Sequence, residues 1–218
     1  TETKHFAESL EQYLMVPELD PNVFYSVDLG LLTFKKHHNI GTVYYSLGDY
    51  KNASENWRKA LQISPAFLRS AFSLFDAELS QGDYMAAREM LDYVHAVQGW
   101  SESWADMLAN FEQRWHGPTA ALQRLQDAVA QNPQEIGPRL ILSRRLLAAN
   151  LVQPAIPHLQ VLASAGIAEG AYCLGIADLN AGRLPEAMDW LCIALKLNPE
   201  HEETQRQISA IRLLLGES

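Results

Sequence analysis

The chain has 218 residues with a formal charge of −9, 48% hydrophobic and 20% charged residues. That composition belongs to a folded chain rather than a disordered one, and no run approaches the roughly 18 apolar residues a membrane helix needs. The acidic balance repels phosphate backbones, and the best basic candidates, Lys35-Lys36 and Arg144-Arg145, are mere pairs, too small a patch to offset it, so nucleic-acid binding is not expected.

In chain order, residues 1–33 come first. Phe6, Leu10, Tyr13 and Leu14 recur at near-helical spacing and Pro17 closes the pattern. Asp20-Pro21 is a helix-start signal, after which Val23, Phe24 and Val27 suit a short helix. This segment reads either as an N-terminal helical cap or as a connection to an upstream domain. No basic segment followed by an apolar stretch opens the chain, so no secretory signal is visible. Thr1 in place of methionine leaves a processed or longer chain open.

The stretch His37–Pro65 organises the rest of the chain. Ile40, Tyr44 and Leu47 share one helical face; Tyr50, Ala53, Trp57, Ala60 and Leu61 share another, with Gly48-Asp49 as the turn between. Gly41, Ala53 and Ala60 are small where the two helices must approach, and Pro65 ends the unit. Gly41-x2-Tyr44, Gly48-x-Tyr50, Ala53-x3-Trp57-x2-Ala60 and Pro65 resemble the tetratricopeptide repeat, a helix–turn–helix of 34 residues, with His37 and Ile40 at its tryptophan and leucine positions.

One such unit cannot bury its apolar face alone, so others are expected in register. Ala53 is followed by Ala87, Ala121, Ala155 and Ala187, at intervals of 34, 34, 34 and 32. In phase run Trp57, Leu91, Leu125, Leu159, Leu191 and Ala60, Val94, Ala128, Leu162, Ala194. The turn position gives Gly48, Gly82, His116, Asn150 and Gly182, with Gly117 taking over from His116; unit ends fall at Pro65, Gly99, Pro133, Ile167 and Pro199. The middle units replace the first-helix glycine by Phe75, Ala109 and Ser143 and the tyrosine by Glu78, Glu112 and Leu146, so altered helix spacing is expected there. The two-residue shortening belongs to the Ala163–Ala168 loop, where Gly166 allows a tight turn. The reading is an all-α, right-handed α-solenoid of about five such helix pairs over 34–199 (34–67, 68–101, 102–135, 136–167, 168–199). Residues 200–218 add a C-terminal capping helix, with Ile208, Ile211, Leu214 and Leu215 on one face and Gly216 as C-cap.

For chemistry the sequence offers little. There is no glycine-rich phosphate loop, no HExxH and no GxSxG, so no catalytic residue, cofactor or metal site is expected. His37 and His38 point about 100° apart on a helix and do not share a ligand. Cys173 and Cys192 match no metal or redox spacing and read as reduced thiols, in line with a cytoplasmic location. Trp57 reads as core; Trp100, Trp104 and Trp115 read as core or as an aromatic patch for a partner.

The resemblance implies instead a non-catalytic module that binds a peptide or protein in a concave groove lined by the first helices. On its phase the groove residues are Lys35, His38, Asn39, Thr42 and Tyr45; Arg69, Phe72, Ser73 and Asp76; Asp106, Met107, Asn110, Gln113 and Arg114; then Leu140, Ile141, Arg144, Tyr172, Cys173, Ile176 and Asn180. Asn39, Asn110 and Asn180 suit a peptide backbone, and Leu140, Ile141, Tyr172 and Ile176 an apolar half. Family members that clamp chaperone C-termini use a lysine and an asparagine one turn apart. Here His38 and Thr42 stand in those places, backed by Ser73, Ser103 and Met107, so a chaperone tail is not the expected ligand. A second resemblance, over about residues 20–100, joins Ser26-Val27-Asp28-x-Gly30-Leu31, Lys35-Lys36-x2-Asn39 and Trp57-Arg58-x-Ala60-Leu61 to the repeat region behind a family 2 glycosyltransferase domain in some bacterial proteins. It implies the alternative that the chain positions protein substrate for, or assembles, a larger enzyme. Self-association through the end units is the remaining partner class.

Overall fold

The computed structural model describes residues 2–15 and 33–215, and outside the turns every described segment is helical. Pro17, Asp20-Pro21, Val23 to Val27, Ser26 to Leu31 and Gly216 lie outside the described residues. The chain is an all-α solenoid of helix pairs that divides into two compact units, residues 1–99 and 100–218.

The first unit holds α1 (Glu2–Met15), α2 (Phe34–Ser46), α3 (Tyr50–Ile63), α4 (Arg69–Gln81) and α5 (Tyr84–Gln98). α1 packs on α2; α2 and α3 form one hairpin, α4 and α5 the next, and α3 packs on α4. The second unit holds α6 (Glu102–Trp115), α7 (Pro118–Gln131), α8 (Ile136–Ala148), α9 (Val152–Ser164), α10 (Ala168–Asn180), α11 (Leu184–Leu197) and α12 (Glu202–Leu215). There α6/α7, α8/α9 and α10/α11 pair as hairpins, α8 packs on both α6 and α7, and α12 lies on α11.

Each hairpin turn reverses at a left-handed residue: Gly48 (φ 80), Gly82 (φ 80), Gly117 (φ 94), Asn150 (φ 60) and Gly182 (φ 76). In the third turn His116 keeps φ −118 and Gly117 takes the strained position, where the missing Cβ removes the penalty. Side-chain caps start several helices: Asp49 accepts from Asn52 N–H, Asp83 from Ala86 N–H and Ser101 from Trp104 N–H, at 3.0–3.2 Å. At α12 the ring Nδ1 of His201 does the same work, accepting from Thr204 N–H at 3.2 Å.

Both helices of each pair contribute to the core, and on the second helices the repeating positions carry it. Ala53, Trp57, Ala60 on α3, Ala87, Leu91, Val94 on α5, Ala121, Leu125, Ala128 on α7, Ala155, Leu159, Leu162 on α9 and Ala187, Leu191, Ala194 on α11 are all buried. Each fully buried leucine contributes about 1.5–3 kcal/mol relative to exposure. The facing first-helix position is closed as tightly. A Cβ on Gly41 would stand 2.6 Å from the indole nitrogen of Trp57, and one on Gly175 would stand 2.7 Å from Leu191 Cγ. At Gly137 a Cβ would meet the backbone around Ser101 at 2.5 Å, so α8 starts directly against the entry to α6.

At Glu78 and Glu112, where the repeat's tyrosine is replaced, the helices are joined by charge, whereas Leu146 at the same place is apolar and buried. Glu78 accepts from Ser54 Oγ at 3.1 Å and lies 3.6 Å from the Arg58 guanidinium, both on α3. Glu112, whose side chain is 3% exposed, sits 2.6 Å from His116 and 3.4 Å from Arg124 on α7. In the last pair Asp178 is held by Arg183 of the turn, at 2.5 Å. These carboxylates occupy space that the sequence pattern reserved for a ring.

Candidate partner-binding face

The first helix of each pair carries the residues the sequence assigned to partner binding, and the structure sorts them. In the first unit, Thr42, Tyr45, Arg69 and Asp76 are exposed, while Lys35, Asn39, Phe72 and Ser73 are half-buried. Lys35 lies with its ammonium 5.9 Å from the Phe34 ring centre, and Phe34 packs on Phe67 at 4.8 Å. Tyr45 belongs to an aromatic cluster with Tyr50 and Trp57, at ring separations of 5.3 and 5.7 Å.

His38 needs a correction. It is 8% exposed and is not on an open face. Its Nδ1 lies 3.1 Å from Ser70 Oγ on α4, its ring is edge-on to Phe67, and its carbonyl accepts the Trp57 indole N–H at 3.1 Å. His38 therefore ties α2 to α3 and α4. Burial, and secondarily the neighbouring Arg69 charge, lowers its pKa below the usual histidine value. His37 diverges from it, toward Asn56 on α3 at 3.3 Å.

In the second unit, Gln113, Arg114, Arg144 and Asn180 are exposed, and Asp106, Asn110, Tyr172, Cys173 and Ile176 are half-buried. Met107, Leu140 and Ile141 are corrections of the same kind: at 4–7% exposed they are core, which leaves Tyr172 and Ile176 as the accessible part of the expected apolar half. α6 packs on α8, and α8 also packs on α7 and α9, so faces that would point outward in an isolated hairpin are covered by packing between hairpins.

Arg144 and Arg145 form the most connected polar cluster on this face. Arg144 donates from Nε and Nη2 to the two carboxylate oxygens of Glu169 on α10, both at 2.7 Å, and from Nη1 to Glu102 on α6. Arg145 donates to Asp106 at 2.8 Å, Asn110 at 2.7 Å and Gln113 at 3.1 Å, all on α6. The two Glu169 hydrogen bonds raise the Arg144 pKa further above its already high value. Asn110 and Arg144, expected to contact a partner, are thus first of all braces between α6, α8 and α10. Sequence reasoning missed Glu102, Glu169 and Arg145 as members of this face. The carboxylates lie 42 and 25 positions from Arg144, a spacing that no single-repeat pattern displays.

Between α6 and α8 the face opens into a cavity of about 560 Å³, walled by Glu102, Ser103, Asp106, Ile141, Arg144 and Arg145. Its walls are charged and hydrogen-bonding, with one aliphatic surface at Ile141. Among the described residues no group of three His, Cys, Asp or Glu side chains could hold a metal ion. Cys173 and Cys192 are free thiols. No helix among the described residues is long and apolar enough to cross a membrane. Of the tryptophans, Trp57 and Trp104 are buried, Trp104 edge-on to Trp100 at 4.9 Å. Trp115 is 46% exposed and stacks on His116 at 4.5 Å.

Residues 34–67 match the tetratricopeptide repeat family model. No curated protein matches the chain. Among solved structures, it is similar to YrrB, described as a TPR protein with an unusual peptide-binding site (16% identity, 94% of this chain and 98% of that one, TM-score 0.46). It is also similar to TTC0263, a thermophilic TPR protein of Thermus thermophilus (21% identity, 83% and 100%, TM-score 0.49). A third is a tetratricopeptide repeat protein from Parabacteroides merdae (12% identity, 96% and 79%, TM-score 0.49). Residues 34–67 of this chain are a tetratricopeptide repeat, set in an all-α solenoid of helix pairs.

Proposed function

We propose that the chain is a non-catalytic interaction module that binds an extended peptide or protein segment along its first helices. The observation that carries this reading is the cavity of about 560 Å³ between α6 and α8, lined by side chains that donate and accept hydrogen bonds on a rigidly braced backbone. Bracing lowers the ordering cost of binding, because Arg144 and Arg145 are held before a partner arrives. The same network argues against an anionic peptide as ligand for these two arginines, whose donors already face Glu102, Asp106 and Glu169. A net charge of −9 argues against nucleic acid, and two free thiols fit a reducing compartment such as the cytoplasm.

The test is selection of binding peptides from a displayed random library, followed by affinity measurement on a Ser103→Trp/Ala148→Trp variant. Both positions are exposed and line that cavity, so the substitutions fill it without removing a partner of Arg144 or Arg145. Loss of at least about tenfold in affinity is expected for peptides seated between α6 and α8. Undiminished binding of every selected peptide would contradict the reading.

A further inference from the structure

A second cavity, of about 400 Å³, lies where α10 meets the α11–α12 junction. It falls in the size range of small-ligand pockets, roughly 300–1,000 Å³. Glu169, Tyr172 and Cys173 line it from α10; Asn198, His201 and Thr204 line it from the other side. The Tyr172 ring stands edge-on to His201 at 5.0 Å, so one wall is aromatic. His201 is fixed by its capping bond to Thr204, and Tyr172 by packing against the cluster of Leu191 and Ile208. The walls are therefore set by helix capping and by the core.

Which charge this space favours can be read from the groups inside it. Burial pushes the Cys173 thiol up to about 11, and Glu169 adds to that rise more than Arg144 opposes it. Burial also raises the Tyr172 phenol, and Glu203 adds to it more than Arg206 opposes it. Burial and the nearby carboxylates both act against an anion here, and the Glu169 carboxylate on the wall is the group that would pair with a cation. Arg144 donates one hydrogen bond to each Glu169 oxygen, and each oxygen keeps a second acceptor site.

We propose that this cavity anchors a cationic side chain, lysine or arginine, of the peptide partner, paired with the Glu169 carboxylate and set against the Tyr172 ring. An aromatic wall beside a carboxylate is the arrangement that recognises such a group. The net charge of −9 draws a basic segment toward it. The proposal rests on the first-helix reading above and names the chemistry of its ligand.

The test titrates the full chain, labelled with nitrogen-15, with unstructured octapeptides alternating glycine with lysine, arginine, glutamate or serine. Lysine and arginine peptides are expected to shift the amides of residues 168–173 and 198–204, and glutamate peptides to leave them unmoved. Glu169→Gln should weaken the basic peptides about tenfold, the worth of one charge-assisted hydrogen bond. Glu102→Gln removes the other arm of Arg144 but leaves the cavity intact, and should change affinity less than about twofold. Tyr172→Leu should weaken binding about threefold. Equal shifts from acidic and basic peptides would overturn the proposal, as would an unaltered Glu169→Gln or equal losses in Glu169→Gln and Glu102→Gln. Serine peptides shifting first-helix amides as strongly as lysine peptides would sink the cation site and keep the first-helix reading. Absence of shifts on any first helix with every peptide would sink both.

Discussion

The hairpins α2/α3 and α6/α7 occupy the same place in the repeat and are locked in opposite ways. In α2/α3 the lock is close approach: Gly41 lets Trp57 lie against α2, and the indole N–H reaches the His38 carbonyl at 3.1 Å. In α6/α7 the glycine is Ala109 and the tyrosine Glu112, a carboxylate 3% exposed between His116 and Arg124. One hairpin depends on the absence of a methyl group, the other on the presence of a counter-charge. The repeat frame fixes where a lock must be, and leaves its chemistry free.

The largest effect is expected from breaking the ionic lock at its wet end. His116→Ala combined with Arg124→Ala leaves Glu112 buried without a counter-charge and should cost about 3 kcal/mol in urea unfolding. Glu112→Gln should cost less, since its partners are 46% and 59% exposed and water replaces the carboxylate. A smaller loss in the double variant than in Glu112→Gln would mean that the carboxylate is not the burdened partner. Next comes Gly41→Ala, whose Cβ would stand 3.0 Å from the Ala53 carbonyl as well as against Trp57. A cost of about 2 kcal/mol is expected, with a shift in indole emission. The converse swap, Ala109→Gly, should cost only about 1 kcal/mol, through helix propensity. Arg58→Ala should cost below about 1 kcal/mol, because Arg58 is 42% exposed and Glu78 keeps its Ser54 bond.

The pH dependence is the finest of these probes. His38 in the first unit and His158 in the second both titrate below 6.5, each lowered first by burial and then by a neighbouring arginine, Arg69 and Arg139 respectively. The unfolded chain then binds more protons, so stability rises with pH between the folded values and 6.5 and is lost as pH falls through that window. His38→Gln should flatten that slope in part, and His38→Gln with His158→Gln further, when unfolding midpoints are compared between pH 5 and 7.5. A slope unchanged in both variants would remove these histidines as its source.

How much of this was legible in the sequence depends on how local the cause is. Positive φ at Gly48, Gly82, Asn150 and Gly182 follows from the residues themselves, and so does burial of the alanine and bulky positions on the second helices. The first-helix face was not so readable. Helical phase says which way His38, Met107, Leu140 and Ile141 point, but whether the next hairpin covers them depends on packing between repeats. The loss of tyrosine at Glu78 and Glu112 read as a weaker fit, whereas the structure shows partners recruited from the helices packed alongside. Arg144 was singled out for a partner; its present partners are Glu102 and Glu169 of this same chain.

The most direct test of the central claim, binding along the first helices, is to map a selected peptide on the labelled chain by a spin label at its end. Broadening is expected of amides on α2, α4, α6, α8 or α10, with α3, α5, α7, α9 and α11 spared. Broadening concentrated on those second helices, with the first helices spared, would contradict it.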